Sequence, residues 1–358
     1  MSMEIISAGM MTTVQDMGRQ GYAGRGFQEN GACDKCALQI ANLLVGNVGE
    51  SGQMGRTDSF RNPGQAALEL TMKGAAIRFS TQEIIALAGA DMAPGINGTP
   101  VPMYCPVRTE PGDVLTMGMA RQGLRSYLAV AGGFDVPLMM GSRSTSLKCG
   151  LGGYQGRALQ KGDVLRSGAS SREIRLFYHK IAGKEARLAE EAAAMAEQYY
   201  GEAGDGKRDS HPLKLRVVAG PQEEAFTVAG METFMGGSYR LTADSDRMAC
   251  KLDGPAIETC RGCDIISDGI VEGSIQVASD GRPIVMMADH QTTGGYAKIG
   301  TVISADIPRL AQLRPGEAVV FRLVTPQEGV EAAREMAGRI FMLKERLKRL
   351  WADCASAR

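Results

Sequence analysis

Ala67-Leu68-Glu69-Leu70-Thr71-Met72-Lys73-Gly74-Ala75-Ala76-Ile77-Arg78-Phe79-Ser80 reads as two strands about a turn. Ala67–Met72 and Ala75–Ser80 are apolar runs too short for a stable helix, and the Lys-Gly pair between them breaks the pattern. The same grammar recurs on either side. Ile84–Ala88, Val114–Met117 and Ser126–Ala131 follow within the first half of the chain. Leu213–Val218, Ile265–Ile266, Ser274–Val277, Ile284–Met287, Thr301–Ser304 and Ala318–Leu323 repeat it in the second. Glycine supplies the punctuation: 46 of 358 residues, spread without a collagen-like period, as many tight turns between short strands require. The chain therefore reads as mainly β.

Three segments depart from this. Ala37 to Val45 places apolar residues at helical spacing, with Asp34 positioned to cap its start and Gly46-Asn47 to end it. Glu185 to Tyr200 carries Leu188, Ala192, Met195 and Tyr199 on one face, and Gly201 stops it. Residues 202–210 follow as a polar, glycine-containing linker. Pro326 to Arg358 is a helix with Met336, Ile340, Leu343, Leu347 and Leu350 in a heptad seam, and with Arg339, Lys344, Arg346, Lys348 and Arg349 on its outer face. That seam packs on its own domain or on a partner protein. The expected organisation is a first β domain over 1–178, a helical insertion and linker over 179–212, a second β domain over 213–325 and a C-terminal helix over 326–358. Pro111-Gly112-Asp113-Val114-Leu115, Lys161-Gly162-Asp163-Val164-Leu165 and Pro315-Gly316-Glu317-Ala318-Val319 share a turn, an acid and a strand start. This is a weak echo between the halves.

Composition excludes several classes. Lys plus Arg and Asp plus Glu both number 40, which argues against a nucleic-acid binder driven by bulk charge. No apolar run is long enough to span a bilayer. The N-terminal residues lack a basic, then apolar, signal pattern, so the expected location is cytoplasmic, where eight cysteines stay reduced. No G-x-x-x-x-G-K-[ST], G-x-S-x-G or strand–GxGxxG–helix unit is present. Cys33-x-x-Cys36 and Cys260-x-x-Cys263 lie too far apart for a zinc ribbon, and packing is the simpler role, so no metal is expected. His179 and His211 flank the insertion and read as solvated.

Four constellations carry chemistry. In Thr12-Thr13-Val14-Gln15-Asp16-Met17-Gly18-Arg19-Gln20-Gly21, Arg19 has the fork to clamp a carboxylate and Asp16 the means to orient it. A turn closed by an internal salt bridge is the alternative. Gly141-Ser142-Arg143-Ser144-Thr145 with Gly150 to Gly156 reads as an anion nest or as a capped polar turn. Asp244-Ser245-Asp246-Arg247-Met248 is the third. The fourth is Gly273-Ser274-Ile275-Gln276-Val277 together with Asp289-His290-Gln291-Thr292-Thr293-Gly294-Gly295-Tyr296-Ala297-Lys298. Asp289, Tyr296 and Lys298 are candidates for proton transfer, and Gln291, Thr292 and Thr293 for positioning a polar substrate.

Taken together these motifs resemble one family. T-V-Q-D-x-G-R-x-G at 13–21, G-A-x-D-x-x-A-L-x-x-A-N-x-L-V-G-N at 31–47, A-L-E-L at 67–70, A-G-A-D at 88–91 and Y-L-A-V-A-G-G-F-D at 127–135 fit it. So do G-S-R-S-T, S-D-R-M, G-S-I-Q-V and Q-T-T-G-G-Y at 141, 245, 273 and 291. The chain is similar to the biotin-dependent carboxyltransferase, or allophanate hydrolase subunit 2, family. Its members include KipA-like proteins and the C subunits of 5-oxoprolinases. The resemblance covers about residues 1–325.

It implies two cyclophilin-like β-barrel domains in a pseudo-duplicate arrangement, with the interdomain and C-terminal helices added. It implies one component of an enzyme, inactive alone, that works with two partners: the KipI-like B component of 5-oxoprolinase and its LamB-like A component. That set opens the lactam of 5-oxo-L-proline to L-glutamate with ATP, which is bound on or shared with a partner. Two other roles in the family stay open. One is the carboxyltransferase component of a biotin-dependent carboxylase, as in urea carboxylase, served by biotin on a separate carrier. The other is a KipA-like regulator that binds a KipI-like kinase inhibitor. Thr71-Met72-Lys73-Gly74 lacks a biotin-attachment core. In the oxoprolinase reading Arg247 joins Asp289, Tyr296 and Lys298 as catalytic. Gln15, Asp16, Arg19, Arg143, Ser144, Thr145, Gln276, His290, Gln291, Thr292 and Thr293 bind substrate, and Arg19, Arg247, Gln291 and Lys298 converge on one cleft. Three places depart from the family pattern: Cys33 and Cys36, Ala249-Cys250-Lys251, and His290 where Arg is common.

Overall fold

The computed structural model describes residues 2–47, 65–170, 174, 178, 185–200 and 212–356. His179, His211 and the 202–210 linker lie outside the described residues, as do the side chains of Leu188 and Leu350. The chain forms two compact units. Unit 1 is Met1–Gln20, Asn30–Ala203 and Gly338–Arg358, and unit 2 is Gly21–Glu29 and Gly204–Ala337.

Unit 1 holds its strands in two sheets. One has six strands in the order Val164–Arg166, Ser2–Ser7, Ala76–Phe79, Val114–Thr116, Gly95–Ile96 and Thr99–Pro100. The other has five, in the order Met11–Gln15, Ala67–Thr71, Gln122–Val130, Glu83–Asp91 and Pro106–Thr109. The two strands about the Lys73-Gly74 turn part company, one into each sheet. Met72 takes φ +62 there, and a Cβ on Gly74 would come within 2.3 Å of Met117 Cβ. The five-stranded sheet is buried on both faces, which explains its nearly continuous apolar runs. Leu68, Leu70, Ile85, Leu87, Leu128 and Val130 meet Ile5, Ile77, Phe79 and Leu115 on one face. Ala67, Ala86, Ala88 and Ala129 form the other, and their small side chains admit the helix Lys35–Leu44 (α1). Asp34 caps α1 as its sequence predicts, with Oδ1 accepting from Ala37 N–H at 2.9 Å. The helix Glu185–Tyr200 (α2) adds Ala192, Met195 and Ala196 to this cluster.

Unit 2 is a closed barrel of seven strands, in the order Leu213–Ala219, Lys298–Val302, Ser274–Val277, Pro283–Met286, Ala249–Asp253, Tyr239–Leu241 and Ala318–Leu323. The first and last close it in parallel. A separate ribbon pairs Asp264–Gly269 with Thr293–Tyr296. The helices Val228–Gly236 (α3) and Ile307–Ala311 (α4) escape the sequence reading. α3 carries glycines that read as breakers, yet a Cβ on Gly230 would stand 2.2 Å from Glu258 O. Its glycine serves close approach.

The helix Pro326–Ser356 (α5) packs on its own chain. Ala332 and Met336 join Ile303 and Ala305 of unit 2, and Ile340, Leu343 and Leu347 join the helical cluster of unit 1. No described helix is long and apolar enough to cross a membrane.

The three echoing turns share one geometry. Gly112, Gly162 and Gly316 have φ of +94, +91 and +89. The acid after each glycine accepts from the N–H three residues before it: Glu110 N to Asp113 Oδ2 at 2.7 Å, Gln160 N to Asp163 Oδ2 at 2.7 Å, and Arg314 N to Glu317 Oε2 at 2.9 Å. Each glycine N–H then donates to a strand carbonyl, of Phe79, Ile5 or Leu241.

Candidate active site

In unit 1 the first two constellations form one buried knot. Met11–Gln15 is a strand, so Thr12, Thr13, Val14 and Gln15 are core rather than loop. Asp16 follows it, fully buried. Its Oδ1 accepts from Gly18 N at 2.9 Å, from Ser142 Oγ at 2.7 Å and from Ser144 Oγ, and its Oδ2 accepts from Arg143 N at 2.5 Å. Arg19 is also buried. It donates from Nε to Met139 O at 3.2 Å, from Nη1 to Asn30 Oδ1 at 2.8 Å and from Nη2 to Ser144 O at 2.9 Å. Gln15 Nε2 donates to Thr13 Oγ1 and Thr145 O, while Thr145 Oγ1 donates to Val14 O. The glycine loop sits against this knot. A Cβ on Gly152 would stand 2.2 Å from Ser144 O, and one on Gly153 would stand 1.9 Å from Thr145 Oγ1. Arg143 is only half-buried. Its Nε is shielded from solvent and has no hydrogen-bond partner among the described residues. By residue type Arg19 and Arg143 are equal candidates for holding an anion. The structure separates them: Arg19 braces the loop, whereas Arg143 Nε is shielded and without a hydrogen-bond partner among the described residues.

In unit 2, Gln276 lies opposite Lys298 across two barrel strands, and its Nε2 donates to Tyr296 O at 3.3 Å. Lys298 has a buried side chain, 4% exposed, and its Nζ donates at 2.7 Å to Oδ2 of Asp268, which is 52% exposed. Gln222 braces both: it accepts from Lys298 N at 3.1 Å and donates to Asp268 Oδ2 at 3.2 Å. The Lys298 ammonium, helped by the Gly269 N–H and Gln222, holds the Asp268 carboxyl below the usual aspartate range. An ammonium has three N–H donors, so Lys298 retains donors beyond the one given to Asp268.

Arg247 and Asp289 form a bidentate pair, from Nε to Oδ2 at 2.9 Å and from Nη2 to Oδ1 at 3.0 Å. Their backbones are joined by Asp289 N to Arg247 O at 2.8 Å. This geometry sets Asp289 to hold a loop. Gln28 Nε2 donates to the carbonyls of Asp289 and His290, and His290 Nδ1 lies 2.7 Å from Gln291 O. Gln291 and Thr292 are half-buried, and Thr293 is exposed at the start of the ribbon.

Sequence reasoning missed Gln28, Gln222 and Asp268. Asp268 precedes Gly269 and so reads as a turn, and neither glutamine sits in a motif. Cys33, just before α1, and Cys36, within it, are buried, and burial pushes the Cys36 thiol up. Among the described residues no group of three or more His, Cys, Asp or Glu side chains is arranged to hold a metal ion.

Comparison with known proteins fits this architecture. The family model "Carboxyltransferase domain, subdomain A and B" matches residues 25–323. The chain belongs to this carboxyltransferase-domain family. Among its relatives, the C subunit of the Escherichia coli (strain K12) 5-oxoprolinase is 35% identical, covering 93% of this chain and 94% of that protein. The C subunit of the Haemophilus influenzae 5-oxoprolinase is 31% identical over similar shares. The urea amidolyase of Lachancea kluyveri is 29% identical across 98% of this chain but only 18% of its own length. In structure, K. lactis urea amidolyase matches 96% of this chain with a TM-score of 0.79 at 24% identity, a likeness of fold alone, and the match spans 20% of that protein. The family fold thus serves both as a separate chain and as one segment of large enzymes.

Proposed function

We propose that this chain is the C component of an ATP-dependent 5-oxoprolinase, which opens the lactam of 5-oxo-L-proline to L-glutamate. The observation that carries the reading is the end-to-end match to 5-oxoprolinase C subunits, 94% of their length in both.

The side chains support it, each role resting on the geometry of its own unit. Water adding to a lactam carbonyl leaves negative charge on its oxygen, and a buried, preoriented donor stabilises that charge. Lys298 fits, because Asp268 and Gln222 fix its position while it keeps donors to give. Arg247, Asp289 and Gln28 hold the 289–291 backbone in place, and Asp16 does the same for the backbone at Arg143. Gln276 fixes the Tyr296 carbonyl. ATP is bound on, or shared with, the KipI-like or LamB-like partners, and this chain is inactive without them.

The test is ADP release by the chain co-expressed with those partners, on adding 5-oxo-L-proline. The expected result is substrate-dependent ADP, with kcat lowered about 10²-fold or more by Lys298→Met. Full activity in Lys298→Met would overturn the role of that side chain. A well-assembled complex that releases no ADP would overturn the oxoprolinase reading. The match to carboxyltransferase domains would then favour carboxyl transfer from a biotin carrier.

A further inference from the structure

One surface of unit 2 is unused by the candidate site. On α3, Val228, Met231 and Met235 form a stripe at helical spacing, and Phe226 and Leu323 extend it into an open groove. Val228 is 79% exposed and Leu323 38%. Single exposed apolar residues are ordinary, but a contiguous apolar stripe with a charged rim marks a contact surface. The rim has one sign: Glu223, Glu224 and Glu232 line the groove.

The chain carries a complementary face. The buried seam of α5 leaves its opposite side in solvent, and there Phe341 is 41% exposed and Met342 54%. Arg334, Arg346 and Arg349 are exposed on the same helix, one to two turns away. From Arg334 to Arg349 there are six basic residues and two acids, the exposed Glu335 and Glu345, the latter already paired with Lys348 at 3.1 Å. An apolar pair flanked by cations is what an acid-rimmed apolar groove receives in helix-in-groove recognition. We infer that the α3 groove receives the exposed Phe341–Met342 face of α5 from a second copy of this chain, so that the protein self-associates. The apolar residues supply the contact, and the opposed charges set its pairing and its salt dependence. This inference is independent of the reading of the active site.

The test is sedimentation equilibrium of the full chain from about 1 to 100 µM, the range of a modest interface of this kind. Association at low salt, weakened about fivefold or more by 0.5 M salt, is the expected result. Glu223→Lys with Glu232→Lys reverses the groove, and Arg346→Glu with Arg349→Glu reverses the helix. Each pair of changes alone is expected to weaken self-association about tenfold or more. An equimolar mixture of the two reversed proteins is expected to associate again, because each groove then meets a helix of opposite sign in the other. All four positions are exposed, so unchanged thermal melts establish that the variants are folded. If a reversed protein fails to fold, Met342→Ser replaces it and must weaken association on its own. A wild-type chain that stays monomeric throughout overturns the proposal. So does association unaffected by either reversal, or a mixture that stays apart.

Discussion

Asp16→Asn tests the claim that one buried carboxylate organises the unit 1 site. The substitution keeps shape and volume. In the native chain the buried carboxylate accepts from two backbone N–H groups and two serine hydroxyls, of which only the Arg143 N–H belongs to a half-buried residue. An amide presents one acceptor oxygen. Placed at the Oδ1 position, it keeps Gly18, Ser142 and Ser144 as neutral bonds, and its NH2 then faces the N–H of Arg143. One part-buried donor loses its partner, at about 1–3 kcal/mol, and three bonds to a charged group become neutral ones, each weaker by about 1 kcal/mol. The expected loss is about 4–6 kcal/mol. In a unit of roughly 200 residues that lowers Tm by about 8–24 °C. Urea unfolding of the purified chain, followed by far-UV circular dichroism, measures it as a fall in midpoint at unchanged slope. Ser142→Ala supplies the control. Its hydroxyl donates to Asp16 Oδ1 and accepts from Ser144 N at 2.9 Å, so the two substitutions share partners, and their combined cost should fall about 1 kcal/mol short of additive. A midpoint within about 1 kcal/mol of wild type for Asp16→Asn, or strict additivity with Ser142→Ala, would refute the reasoning.

Three further outcomes are expected. The Asp268 carboxyl is held low by Lys298, so its ion pair contributes stability above the ordinary aspartate pKa of about 3.9, and that contribution is lost as pH falls through the lower folded value. Carbon-13 NMR should find Asp268 titrating below that value in the native chain and rising in Lys298→Met; equal midpoints would remove the pair from the site. Gly150 and Gly153 both have positive φ, +59 and +52, but a Cβ meets nothing within 4 Å at the first and Thr145 Oγ1 at the second. Gly150→Ala should cost about 1 kcal/mol from backbone strain alone, and Gly153→Ala about 3 kcal/mol or more; equal melting temperatures would contradict the tight loop contact. Arg247→Met leaves Asp289 without its bidentate partner and should destabilise by about 3 kcal/mol, and adding Asp289→Leu should recover at least half of that; a double variant worse than the single one would show that the pair is not the coupled unit.

Much of the fold was legible because local physics fixed it. The stop signals and capping acid of α1 were readable, as were the strand-turn grammar and the three acid-closed turns, because each depends on residues within four positions of one another. The site was legible in part. Motif density marked 13–21, 141–145, 273–277 and 289–298 as polar clusters, and those clusters do hold the hydrogen-bonded networks of the two units. What each charge does there was another matter. Arg19, Arg143 and Arg247 looked equivalent, yet Arg19 found carbonyls more than 100 residues away, Arg247 found Asp289, and Arg143 kept a shielded donor.

The sequence by itself determined that this is a glycine-punctuated β protein of the carboxyltransferase-domain family, because periodicity, turn chemistry and ordered motifs survive in one dimension. Only the tertiary structure decided that Gly21–Glu29 belongs with the second unit, where Gln28 meets the carbonyls of Asp289 and His290. It also decided that Lys298 is fixed by Asp268 and Gln222, 30 and 76 residues away. The reason is physical. A side chain's charge and reach are written in its residue type, but its acceptor is whichever group chain closure brings within 3 Å in a water-poor setting, and that is settled only when the barrel and sheets close.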